Sequence, residues 1–93
     1  MKIKLGIIGY GGMGKWHAAN ASRAGVEIAA VCDIEKEKID QGIADGFKTY
    51  TNAEDLLKDP DVNTVVLTVP NHLLLLFQVQ LKMIAKWFFI YIE

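Results

Sequence analysis

Residues 6–17 read "GIIGYGGMGKWH". Gly9, Gly11 and Gly14 stand in the spacing G-x-G-x-x-G directly after an apolar run. Such a bend either holds a dinucleotide or is a flexible corner between a strand and a helix. The first reading gives each glycine a task. Gly9 permits a tight turn out of a strand. Gly11 lacks a Cβ, so the backbone can approach a pyrophosphate, and Gly14 lets the next helix pack closely on the strand. That helix would point free N–H groups and the positive end of its dipole at the phosphates. Tyr10, Gly12 and Met13 fill the loop and join the candidate cofactor-binding residues.

The surroundings favour the dinucleotide. "IKLGIIG" (3–9) is an apolar, β-branched run that reads as a buried parallel strand. "MGKWHAANASRA" (13–24) is helix-compatible, with Arg23 in its last turn and Gly25 as its stop. "VEIAAVCD" (26–33) reads as a second buried strand and "IEKEKIDQGIAD" (34–45) as a polar-faced helix. Asp33 therefore closes the second strand at about the 20-residue separation at which a carboxylate accepts hydrogen bonds from the adenosine ribose. A carboxylate there repels a 2′-phosphate and favours NAD over NADP. Asp33 also has the chemistry to cap a helix starting at Ile34, and both roles can hold. Lys36 and Lys38 suit either a solvated helix face or a 2′-phosphate.

Further along, "FKTY" (47–50) is a short strand, and Thr51 with Glu54 spells a capping box for a helix through Leu57. Pro60 breaks the chain, and "VNTVVLTV" (62–69) is a third long strand. Strands alternating with helices predict an α/β fold: a doubly wound parallel sheet in three layers, with helices on both faces. "TVPNH" (68–72) leaves the third long strand at the same sheet edge as the glycine turn. Ligands of open α/β sheets bind there, which adds Thr68, Pro70, Asn71 and His72 as candidate cofactor contacts. Asn71 serves equally well as a helix cap. "LLLLFQVQLKMIAKWFFIYIE" (73–93) differs from the rest in its density of Leu, Ile and Phe. It reads as a helix to about Lys86 and then a strand, "WFFIYI".

Composition excludes several classes. The 93-residue chain is long enough for one small domain, and ten Lys+Arg against eleven Asp+Glu leave no basic stripe for nucleic acid. The single cysteine, Cys32, permits no intrachain disulfide or thiolate metal site and reads as a small core residue. His17 and His72 are the only imidazoles, and no Asp/His/Cys cluster supports a metal. Trp16 is either packing or a wall of the cofactor cleft. The longest unbroken apolar run in the tail, Leu73–Phe77, is far short of the roughly 18 residues of a membrane span. A cytoplasmic location is the expectation. So is self-association through the apolar C-terminal segment.

"KLGIIGYGGMGKWHAANA" (4–21), "VEIAAVCDIEKEK" (26–38) and "FKTYTNAEDLLKDPDVNTVVLTVPNHL" (47–73) together resemble the start of the Gfo/Idh/MocA oxidoreductases, named for glucose–fructose oxidoreductase and inositol dehydrogenase. The resemblance implies a Rossmann domain binding NAD, or less favourably NADP, within an enzyme that oxidises sugar, inositol or related polyol hydroxyls. It places Gly9, Gly11 and Gly14 against the pyrophosphate, Asp33 against the adenosine ribose, and Pro70 and Asn71 toward the middle or nicotinamide side. Family members continue after "NHL" with an amphipathic helix, a strand, a Glu-Lys-Pro motif and a substrate domain. Here the composition shifts near residue 72 and the Lys-Pro pair does not appear. The expectation is a single incomplete domain, truncated or frame-shifted, that binds a dinucleotide without catalysis of its own. A non-catalytic nucleotide-binding or self-associating module is the alternative.

Overall fold

Strands buried on both faces read as largely apolar runs, and the three long runs at 3–9, 26–33 and 62–69 assemble as that rule demands. The computed structural model describes residues 2–69 and 87–92. Its elements are β1 (Lys4–Ile8), α1 (Gly12–Arg23), β2 (Glu27–Cys32), α2 (Lys36–Ala44), β3 (Thr49–Tyr50), α3 (Ala53–Lys58), β4 (Thr64–Val69) and β5 (Trp87–Ile92). The strands form one sheet in the order β3-β2-β1-β4-β5, every pair parallel. The chain winds outward from β1 to β3, then returns to the other side of β1. That reversal puts the topological switch point between the carboxyl ends of β1 and β4.

Alternation along the strands sorts the core into two layers. Ile8, Ala30, Cys32, Val65 and Leu67 meet Leu56 and Leu57 of α3 on one face. Leu5, Ile7, Val31 and Val66 meet Tyr10 and Ala18 on the other, with Ala21 of α1 and Phe47 packed alongside. An irregularity between Leu5 and Gly6 leaves Ala29 unpaired in the β1–β2 register. Ala29 and Ala30 consequently both turn toward the α3 layer. Ile7, Leu56 and Leu67 are wholly buried, each contributing about 1.5–3 kcal/mol. Cys32 is a core residue, and burial, with help from the charges of Asp33 and Asp55, pushes its thiol up to about 12.

Two helix starts differ from their sequence readings. α2 begins at Lys36 with Glu35 at its N-cap, so Asp33 does not cap it. α3 is capped by Asn52, whose side chain accepts the Asp55 N–H at 2.8 Å, and not by Thr51. Neighbouring Thr and Asn offer equivalent acceptors, and only the path of the backbone chooses between them. The expected strand at 87–92 is present as β5, while Pro70, Asn71, His72 and the expected helix after them lie outside the described residues.

The "KDPD" stretch does more than break a helix. Asp59 is 4% exposed and accepts from the Lys48 ammonium at 2.6 Å, the Tyr50 hydroxyl at 2.7 Å and the Asp61 N–H at 2.8 Å. The cluster ties β3 to the loop entering β4. Burial alone would raise this carboxyl, but the bonds from Lys48, Tyr50 and Asp61 outweigh it and hold the group down at about 2. The folded state therefore binds this proton less tightly than the unfolded chain, whose carboxyl titrates near 3.8. Its stabilisation is complete above about pH 4 and is lost as the pH falls toward 2. Asp59→Asn is expected to cost about 2–4 kcal/mol at pH 7. It should also flatten the acid limb of the melting temperature measured between pH 5 and pH 2.

Candidate functional site

The site starts at the residue leaving β1. Gly9 has φ +98°, a left-handed conformation that side chains disfavour. Its N–H donates to the Cys32 carbonyl at 2.8 Å, which holds the turn to β2. From the other side, the buried Thr68 hydroxyl at the end of β4 donates to the Gly9 carbonyl at 2.5 Å and lies 3.2 Å from the Ile8 carbonyl. A Cβ on Gly9 would fall 2.5 Å from Thr68 oxygens, and one on Gly14 would collide with the Gly9 carbonyl oxygen. The turn is thus squeezed between β4 and the first turn of α1.

α1 opens with Gly11 at the N-cap, no side-chain cap and no acid in its first turn. Among the described residues, its leading N–H groups have no N-cap side-chain acceptor of the kind Asn52 supplies to α3. An uncapped N-terminus of a three-turn helix, with no acid in its own first turn, has the chemistry of an anion site. Gly11 and Gly12 are the residues where the approach is open. A Cβ on Gly12 meets nothing within 4 Å, and one on Gly11 meets only the Lys38 ammonium, at 3.5 Å.

Asp33 faces this turn. Its Oδ2 accepts the Tyr10 N–H at 2.8 Å and its Oδ1 accepts the Glu35 N–H at 2.9 Å. The Glu35 bond is an Asx turn ahead of α2. Each oxygen keeps a further lone pair for an outside donor. The Tyr10 amide thus sets the carboxylate beside the glycine turn, a contact that spacing alone did not reveal.

The Tyr10 side chain belongs to the core. It is buried, packs edge-on against Phe47 with centroids 6.2 Å apart, and donates its hydroxyl to Asp45 Oδ2 at 2.5 Å. Burial, then the Asp45 bond, drives the phenol well above its ordinary value. Tyr10, Gly11, Gly12, Lys15, Glu37, Lys38 and Gln41 line a cleft of about 360 Å³ between the turn and α2, within the size range of small-ligand sites. Lys38 therefore reaches the cleft, whereas Lys36 stays on the solvated face, paired with Asp40 at 2.8 Å. Two residues apart on one helix, they face different sides whichever residue opens it. Trp16 is 56% exposed, lies edge-on to His17, and is not among the lining residues. Gly14 is buried, and Met13 sits half-buried in the first turn of α1. Among the described residues there is no group of three metal-ligating side chains, and no helix is long and apolar enough to cross a membrane.

Residues 3–87 match the profile of an oxidoreductase family described as an NAD-binding Rossmann fold, GFO_IDH_MocA. The chain belongs to the Gfo/Idh/MocA oxidoreductase family. It is similar to an inositol 2-dehydrogenase/D-chiro-inositol 3-dehydrogenase of Lacticaseibacillus casei, 36% identical over 70 residues, or 70% of this chain and 20% of that protein. An inositol 2-dehydrogenase of Salmonella typhimurium is 36% identical over 77 residues, covering 76% and 23% respectively. This member of the Gfo/Idh/MocA family thus spans about a fifth to a quarter of the length of those relatives. Among solved structures, an NAD binding oxidoreductase from Klebsiella pneumoniae superposes on 97% of the chain and 27% of its own, with TM-score 0.86 and 25% identity. The WlbA dehydrogenase from Bordetella pertussis, solved with NADH and UDP-GlcNAcA, shares the fold at TM-score 0.87 and 22% identity, covering 97% and 28%. The chain is the NAD-binding Rossmann domain of this family.

Proposed function

We propose that this Gfo/Idh/MocA domain binds NAD in the cleft at the first glycine turn, with a defined share for each residue. Residues 9–14 take the diphosphate: Gly11, Gly12 and Met13 present the open amides of α1, while Gly9 and Gly14 shape the bend. Tyr10 contributes through its backbone, which holds Asp33 in place, and Asp33 accepts the adenosine ribose hydroxyls. Thr68 acts from behind, bracing the Gly9 carbonyl, while Pro70 and Asn71 serve the cofactor's middle or nicotinamide side and His72 is a further candidate contact. When bound, the nicotinamide ring accepts or donates a hydride. The chain's own residues bind it, orient it and keep a 2′-phosphate away. For the whole protein we propose oxidation of a polyol hydroxyl, on the strength of its inositol dehydrogenase relatives. A reducing cytoplasm suits the single buried thiol, and pairing of copies through the C-terminal segment is part of the same reading.

The observation that carries this reading is the pairing of an uncapped α1, reached through the left-handed Gly9, with a carboxylate clamped beside it. Titration of the chain with NADH, followed by nicotinamide fluorescence, is expected to saturate in the micromolar range, with NADPH binding more weakly. A featureless NADH titration overturns the proposal.

A further inference from the structure

Gly11 has one neighbour across the cleft. Of all atoms in the described structure outside its own chain neighbours, only the Lys38 ammonium stands within 4 Å of the position its Cβ would take. Lys38 comes from α2, an element with no part in the glycine motif. Its ammonium is anchored loosely, 3.7 Å from a Glu35 carboxylate that is itself 62% exposed. Exposed pairs of this kind contribute little, so exchanging one for a stronger anion costs little. Lys15, from the first turn of α1, adds a second ammonium to the lining, and Glu37 is the one acid there. Asp45 lies close enough to Lys15 for that charge to help hold its carboxyl down, after the larger effects of the Tyr10 and Gln41 bonds.

We propose that Lys38 is a diphosphate-binding residue that closes the cleft from the α2 side. This rests on the reading of the glycine turn as the cofactor site and adds a charged wall opposite it. A bare helix terminus offers amides and a partial charge. A lysine opposite supplies a full charge on a flexible stem, suited to a phosphate oxygen as a point-charge partner. Lys38 then divides the work with Asp33: the carboxylate takes the sugar, and the ammonium takes the negative charge the amides leave uncompensated.

The test compares NADH, ADP, adenosine and NADPH binding to the unmodified chain and to the Lys38→Met, Lys38→Arg and Lys36→Met variants, by calorimetry. A thermal melt of each variant checks that it is folded. The expected result is that Lys38→Met weakens NADH and ADP alike by about tenfold and leaves adenosine unchanged. Lys38→Arg recovers most of the loss, and Lys36→Met behaves as the parent. Parental ADP affinity in Lys38→Met overturns the proposal. So does a loss confined to NADPH, which would assign the ammonium to a 2′-phosphate, or an equal loss for adenosine, which would mark general damage to the cleft. Failure of the unmodified chain to bind NADH or ADP overturns both this inference and the site on which it rests.

Discussion

Gly11→Val is expected to abolish measurable NADH binding while the fold survives. The residue sits in ordinary extended backbone, φ −85° and ψ −158°, which valine adopts without strain. A side chain there encounters only the end of Lys38, a flexible group that can swing away. Loss of glycine at an N-cap therefore costs at most about 1 kcal/mol. Binding suffers differently, because the new methyl groups stand over the α1 amides where the diphosphate must come into contact. Losing two or more hydrogen bonds to a charged group removes about 3 kcal/mol or more, a weakening of over about 100-fold. Fluorescence titration and a thermal melt of the same sample read both quantities. Undiminished affinity would show that the cofactor lies elsewhere.

Gly14→Ala is expected to do the opposite kind of damage. Its Cβ would land on the Gly9 carbonyl oxygen, which already accepts the Thr68 hydroxyl. Backbone meets side chain with no flexible group to yield, so α1 must lift away from β1. Overpacking of this kind costs about 1–3 kcal/mol, and more where the obstacle is backbone. Against a total stability of about 5–15 kcal/mol, a loss of about 3 kcal/mol lowers the melting temperature by roughly 10–25 °C in a domain this size. Circular dichroism melting checks it. A shift of only a degree or two would mean that helix and strand do not approach as closely as described.

These two glycines show which features were legible from residue order. Turn, strand and helix are neighbours in sequence, so their geometry follows from local backbone rules. Asp33 was legible for the same reason, since a βαβ unit fixes the distance from turn to acid. Burial of both faces of β1, β2 and β4 was written in their largely apolar runs. Contacts that the fold alone creates were not legible. Lys38 and Lys36 look alike in "EKEK"; helix periodicity turns them to different sides, but only the docking of α2 beside the glycine turn decides which one meets the cleft. Tyr10 reads as a loop residue, yet it is a core side chain because Phe47 and Asp45 arrive from far along the chain. The sequence shows only a chain break at Pro60, and the partners of Asp59, Lys48 and Tyr50, come together only when β3 docks.

Cys32 has a use of its own. A thiol reacts with alkylating reagents as its thiolate. With its ionisation pushed up to about 12 by burial and its sulfur sealed within the sheet, the folded chain presents almost none of the reactive form near pH 8. Unfolding restores both access and ordinary acidity. A trickle of iodoacetamide modification therefore clocks how often the centre of this sheet opens, and a bound dinucleotide that clasps the strand ends should slow that clock.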